Sequence, residues 1–483
     1  MPQFAAALCF LFIAYLFYTD VRRPDGRSLA LWVPTIWMFL AGSRFVSAWL
    51  HLSPDFETAS DYSEGSPIDR AVFFGLILAG IFILARRKID WEHVLTKNVW
   101  IVLYLLYCLT SLAWTNDPTV LMKRWVKDLG NPIMALVILT ERRPYEAVGV
   151  VLRRLAFLML PLSVLFIKYY PELGRWYRPH DGAETFTGVA TQKNQLGVGC
   201  LIIGIYMAWE FLQRRQEAYP PYLRQNKLAA LILVGMLGWV LYKSNSQTAL
   251  VCLVLGIAIF LLGGPRFMAR NPAAILGILI SSVLTVWFID TLFPLKELVL
   301  GILGRRPDLT DRTDIWALLL TLEGNPIVGV GYMSFWTGPR LEAAWQLLGM
   351  RINQAHNGYL EQYLNLGYIG VGFIIAIMLT GLFRVHNHLK IDPPAGMLRL
   401  CLIAIAAVYN YTEAAFYGLN NIWILLLLAC IEIPSKKQAP SSARPRRQVI
   451  ASGIGYRTQS PRARAARELP HRLPAASRTS ERA

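Results

Sequence analysis

Imidazole is the side chain whose unperturbed pKa, about 6.5, suits proton transfer near neutrality. The histidine best placed for such work is His356, in Gln354-Ala355-His356-Asn357-Gly358-Tyr359-Leu360-Glu361. Glu361 follows five residues later, a poor helical spacing for direct contact, and Asn357 would point elsewhere on a helix. Spacing alone therefore establishes no dyad. Two readings of His356 stay open at this point: a general base, or a structural or capping residue.

Cations form the second group. Lys123, Arg124 and Lys127 flank the start of one apolar run, and Lys193 opens another in Thr191-Gln192-Lys193-Asn194-Gln195. Lys243 ends a third, and Arg305, Arg306, Arg312, Arg340 and Arg351 lie in one long connection. A guanidinium clamps phosphate oxygens in bidentate fashion, so a diphosphate ligand would account for several of these together. Any one of them also reads as a side chain snorkelling to headgroups; as a set they favour a polyanionic ligand. Other chemistries leave no trace: no Gly-rich loop ends in Lys-Ser/Thr, and no His-Glu-x-x-His occurs. The glycines at 329, 331, 367, 370 and 372 lack a dinucleotide-fold setting and read as tight turns and close helix packing.

What positions these residues is a set of long apolar runs. Of the 483 residues, 55% are hydrophobic and only 16% charged, with mean hydropathy +0.39. A bilayer crossing needs about 20 apolar residues, and runs approaching that length recur along the chain. The expected fold is all-α: a polytopic transmembrane bundle of about 12–13 spans with a large, outward-facing, partly helical loop. The spans fall near 4–19, 30–50, 70–85, 98–114, 127–140, 151–168, 192–212, 228–242, 247–264, 272–290, 368–385, 398–412 and 421–433. Basic clusters such as Arg22/Arg23/Arg27, Arg86/Arg87/Lys88, Arg142/Arg143 and Arg384/Lys390 occupy alternate connections, which puts those on the cytoplasmic side. The organisation expected is residues 1–290 as N-terminal membrane helices, 291–367 as the large periplasmic loop, 368–434 as C-terminal membrane helices, and 435–483 as a basic tail. His51, His180 and His356 then face outward, while His93, His386, His388 and His471 face the cytoplasm.

The tail after Pro434 explains much of the net charge of +17: it carries twelve Lys/Arg against Glu468 and Glu481. Rich in Pro, Ser and Ala, it buries too little surface to fold alone, and its partner is expected to be anionic membrane lipid. Nucleic acid is not the expected partner, because Tyr456 is the tail's one aromatic and stacking platforms need several. The six cysteines all sit in apolar segments without metal-site spacing. No basic stretch precedes the first apolar run, so a cleaved signal peptide is not expected.

Four stretches make the chain resemble the O-antigen ligase and O-antigen/exopolysaccharide polymerase superfamily. They are Ser111–Pro118 with Lys123-Arg124; Thr187–Gly197; Lys243–Ala249; and a set joining Asp311–Trp316, Pro326–Gly331 and Ala355–Glu361. The resemblance spans residues 100–433. It implies a metal-independent, cofactor-free membrane glycosyltransferase at the periplasmic face of the bacterial inner membrane. Such an enzyme passes glycan from an undecaprenyl-diphosphate carrier to an acceptor sugar hydroxyl. By the same resemblance His356 is the base, Arg312, Lys193 and Arg124 bind the diphosphate, and Asn194 and Asn357 position these groups. Asp311 precedes Arg312 where family members often carry glycine. Polymerisation of O-antigen or exopolysaccharide repeats is the first expectation, and ligation to lipid A–core the alternative. A transporter of lipid-linked sugar, the reading from another class, would place ionisable residues near the midplane and show two similar halves; instead the charges gather at the outer edge.

Overall fold

A computed structural model describes residues 1–21, 28–52, 66–177, 182–213, 222–263, 310–349 and 351–433. Without water to bond the backbone, apolar runs satisfy their N–H and C=O groups internally, and they become helices. The longer ones are α1 (Pro2–Val21), α2 (Trp32–Gly42), α3 (Pro67–Ala85), α4 (Val99–Thr110), α5 (Pro118–Asp128) and α6 (Gly130–Leu139). There follow α7 (Pro144–Tyr169), α8 (Lys193–Leu212), α9 (Lys227–Ser244), α10 (Gln247–Leu262), α11 (Thr310–Thr321) and α12 (Gly338–Leu348). The last three are α13 (Gly358–Ile391), α14 (Pro393–Thr412) and α15 (Asn421–Cys430). Between α7 and α8 a small antiparallel hairpin pairs β1 (Arg175–Tyr177) with β2 (Glu184–Phe186).

Seven of these helices, α1, α3, α7, α8, α9, α13 and α14, are long and apolar enough to cross a membrane. An eighth crossing arises if Trp91–Lys97 and the helix after it, bent by 82°, count as one. The chain is thus an all-α, multi-pass membrane protein. Every expected span coincides with a helix except 272–290, which lies outside the described residues, as does the basic tail. The expected 30–50 span stops at Gly42, and the 127–140 span breaks at Leu129 between α5 and α6. These short helices need not span hydrocarbon alone, because they are enclosed by protein; every residue of α15 is buried.

Burial separates a centre from a perimeter. Helices α7, α8 and α14 are mostly enclosed, whereas α1, α3, α9 and α13 expose most of their apolar length. On α3 the exposed Phe74, Leu78, Ile81 and Phe82 recur at helical spacing, a stripe suited to lipid. Charge is also buried within the bundle, near the ends of α1 and α8. Arg153, nine residues into α7, is buried and pairs with Asp20 at the end of α1 (2.6 Å), with Glu210 of α8 at 3.8 Å. Its neighbour Arg154 lies over the Trp32 ring at 4.3 Å. Pairing and ring contact offset the cost of placing guanidinium groups there, and a hydropathy average over the whole helix hides them.

The connection before the last crossings is folded. Leu319, Val330, Phe335, Trp336, Leu341, Ala344, Ala355 and Leu364 form a small core of their own. It docks where α13 breaks: Gly367 adopts φ 63°, ψ −165° inside the helix. There the segment 326–331 pairs with the opened backbone, Gly331 N donating to Asn365 O (2.8 Å) and Tyr368 N to Pro326 O (2.9 Å). A Cβ on Gly367 would lie 2.2 Å from Ile327 O, and one on Gly329 2.3 Å from Asn365 O. Both positions have positive φ, so glycine serves the approach twice over, by space and by conformation.

Candidate active site

The last residue of the expected span 398–412 is Thr412, and the next, Glu413, leaves helical conformation and turns its carboxylate inward. Three side chains from three other elements meet it. Asn194 Nδ2, one residue into α8, donates to Glu413 Oε1 (2.9 Å). Arg312, near the start of α11, places Nη2 3.2 Å from the same oxygen and also donates to the Thr412 carbonyl. His356 Nδ1 lies 3.2 Å from Glu413 Oε2. The Glu413 side chain is 8% exposed, against 25% for His356 and 28% for Arg312. The carboxylate is therefore the enclosed hub, and the cation and imidazole form its accessible front.

The backbone around His356 explains how the ring is held. His356 itself adopts φ 51°, a left-handed conformation that costs a β-carbon-bearing residue of order 1 kcal/mol. Both neighbours are pinned. Ala355 N donates to the buried carboxylate of Glu361 (2.8 Å), and its carbonyl accepts from Trp316 Nε1 (2.8 Å). Asn357 caps α13, its Oδ1 accepting from Tyr359 N (3.0 Å) and Leu360 N (3.1 Å). Gly358 N then donates to the Glu413 carbonyl (3.0 Å), joining the histidine turn directly to the end of α14. Across the same junction Thr248 Oγ1 and Thr412 Oγ1 are 2.9 Å apart, tying in the start of α10.

Of the six residues singled out in the sequence, three converge: His356, Arg312 and Asn194. Asn357 adjoins them as a helix cap. Lys193, half-buried, precedes Asn194 as the first residue of α8. The Arg124 guanidinium donates to the Met333 carbonyl. Glu361 does not contact the imidazole but fixes the residue before it. Sequence reasoning did not find Glu413. Its only local signal is an acidic residue closing the apolar run that ends Tyr409-Asn410-Tyr411-Thr412, a place where an unpaired carboxylate is unfavourable. Arg305, Arg306 and His180 lie outside the described residues, as does the Asp311 side chain.

The arrangement has a definite chemical capacity. With Nδ1–H donating to the Glu413 carboxylate, the tautomer is the one that leaves Nε2 with its lone pair. Such a ring can accept a hydroxyl proton, while Arg312 beside it can meet developing negative charge. Among the described residues no group of three or more His, Cys, Asp or Glu is arranged to hold a metal ion.

Residues 229–375 match the protein family described as O-Antigen ligase. That range runs from α9 into the first half of α13 and contains Arg312 and His356, while Asn194 and Glu413 lie on either side of it. The chain is also similar to the exopolysaccharide production protein ExoQ of Rhizobium meliloti (strain 1021). The two are 24% identical over 371 residues, covering 73% of this chain and 81% of the relative. Both likenesses point the same way as the sequence motifs, toward the O-antigen ligase and polymerase superfamily.

Proposed function

We propose that the chain is a glycosyltransferase that lengthens exopolysaccharide or O-antigen repeats carried on undecaprenyl diphosphate, working at the periplasmic face of the bacterial inner membrane. The observation that carries the reading is the Glu413 hub, which sets an oriented imidazole beside a guanidinium at the end of a membrane bundle. His356 Nε2 takes the proton of the acceptor hydroxyl as its oxygen attacks the anomeric carbon. The bond from that carbon to the diphosphate breaks, and the diphosphate leaves with the electron pair. Arg312 and Lys193 meet the departing charge. Support for an anion here comes also from α8, whose first-turn N–H groups receive no side-chain cap from Gln192. A lipid-linked diphosphate is already activated, so the reaction draws on no nucleotide and no metal. Arg124 donates to the Met333 carbonyl, and Arg312 and Lys193 carry the diphosphate.

The charge distribution supports this orientation. Arg86, Arg87, Arg142, Arg143 and Arg384 collect at the ends of helices opposite to the Glu413 end, as residues facing the cytoplasm do. The test is turnover in proteoliposomes with an undecaprenyl-diphosphate oligosaccharide, with and without lipid A–core. Longer lipid-linked glycan without lipid A–core supports a polymerase. Transfer only to lipid A–core reassigns the protein as a ligase, and no transfer to either rejects the reading.

A further inference from the structure

At the same end of the bundle, an open groove of about 620 Å³ lies between α7, the hairpin and α9. None of its lining residues is among the partners of Glu413. Its two helical walls share one polarity gradient. On α7 the lining passes from Val164 through Ile167 to Lys168, and on α9 from Gly235 and Met236 through Trp239 to Lys243. Both walls are thus apolar toward the membrane interior and cationic at the rim. Of the three rim cations, Arg175 is already neutralised by Glu184 (2.8 Å) and donates to the Ile167 carbonyl (2.9 Å). Lys168 and Lys243 have no carboxylate partner among the described residues. Lys243 is held over the rings of Phe186 (4.6 Å), Tyr242 (5.9 Å) and Trp239 (6.0 Å), so its ammonium has a defined position at the rim. At the apolar end, a Cβ added to Gly235 would meet nothing within 4 Å.

We propose that this groove is a binding site for one anionic phospholipid, with its phosphate between Lys168 and Lys243 and an acyl chain over Gly235, Met236 and Val164. Parallel gradients on two facing helices match a single molecule with an anionic head and a hydrocarbon tail. Two ammonium groups without a carboxylate partner among the described residues suit a phosphodiester anion. The volume lies in the range of about 300–1,000 Å³ that seats a small molecule, enough for a headgroup and the first part of a chain. The proposal does not depend on the reaction assigned above.

Native mass spectrometry of the full-length protein, titrated with phosphatidylglycerol or phosphatidylethanolamine, tests it. The wild type should hold one phosphatidylglycerol and prefer it over phosphatidylethanolamine. The double variant Lys168→Gln/Lys243→Gln should lose that preference, with phosphatidylglycerol binding weakened by about tenfold or more. Gly235→Leu grows into open space, keeps both cations, and should lower occupancy with an unchanged thermal midpoint. Equal binding of the two lipids by the wild type overturns the proposal. So does wild-type occupancy in both variants, or occupancy by added undecaprenyl diphosphate but not by phosphatidylglycerol.

Discussion

Replacing Glu413 by Gln keeps the shape of the hub and removes its charge. In the wild type one carboxylate accepts from Asn194 at 2.9 Å and stands 3.2 Å from both Arg312 and His356. An amide has one acceptor oxygen and presents an NH2 group where an acceptor is needed, so at least one of the three contacts becomes donor against donor. Breaking a fully buried ion pair costs about 3–5 kcal/mol. Arg312 and His356 keep 28% and 25% exposure, so water compensates part of the loss. A stability cost of about 1–2 kcal/mol is the reasonable scale. The effect on turnover should be larger than that cost suggests. With the amide oxygen turned to the two donors Asn194 and Arg312, its NH2 faces Nδ1 and donates to that nitrogen, and the resulting tautomer presents Nε2–H to the acceptor hydroxyl. General-base catalysis contributes about 10²- to 10⁴-fold, so kcat for glycan transfer should fall by about 100-fold or more, while the KM for lipid donor moves much less. Glu413→Asp, with its charge one methylene further back, should fall between. The assay is initial rate of glycan lengthening in proteoliposomes, with thermal unfolding as the control for folding. A folded Glu413→Gln enzyme with wild-type kcat would refute the reasoning.

His356→Ala should insert and unfold like the wild type yet lose at least about 100-fold in kcat, read in the same assay. Arg312→Ala should raise the donor KM and lower kcat more than Arg312→Lys does, because a lysine restores charge without the bidentate fork; equal rates for both would leave Arg312 a headgroup contact only. Asn357→Ala removes the cap of α13 and should cost about 1 kcal/mol, seen as a lower thermal midpoint. Gly367→Ala puts a methyl group 2.2 Å from Ile327 O at a positive φ, and should destabilise by at least about 1–3 kcal/mol, with the loop core of Phe335 and Trp336 exposed to proteolysis first. Turnover should be unchanged by a chelator; activity abolished by it and restored by a divalent ion would remove the mechanism.

Much of the helical frame was legible because a membrane makes apolar length a direct signal. Helices α1, α3, α7, α8, α9 and α14 fall where unbroken apolar runs lie. Short enclosed helices were harder, since α2, α6 and α15 spend their apolar residues on protein contacts rather than on a full crossing. His356, Arg312 and Asn194 stood out through the stretches that carry the family resemblance, and the fold brings them together. Glu413 did not, because it lies 57 residues after its imidazole partner and meets it only through the packing of α13 on α14. Periodicity relates neighbours three or four residues apart; it carries nothing about a contact made by tertiary packing. The same reason hid the Arg153–Asp20 pair, two residues 133 positions apart that neutralise each other inside the bundle. Arg124 is the converse case, a residue close to the others in type and in expected depth whose guanidinium donates to the Met333 carbonyl of the same long connection that carries Arg312.

The central claim is tested most directly by counting leaving groups. Purified protein in proteoliposomes, given undecaprenyl-diphosphate oligosaccharide alone, is followed for glycosidic bonds formed and for undecaprenyl diphosphate released. One diphosphate released for each new bond, without nucleotide or added metal, and loss of both in His356→Ala, is the predicted result. Bond formation that requires a nucleotide sugar, or that proceeds at the wild-type rate in His356→Ala, would contradict it.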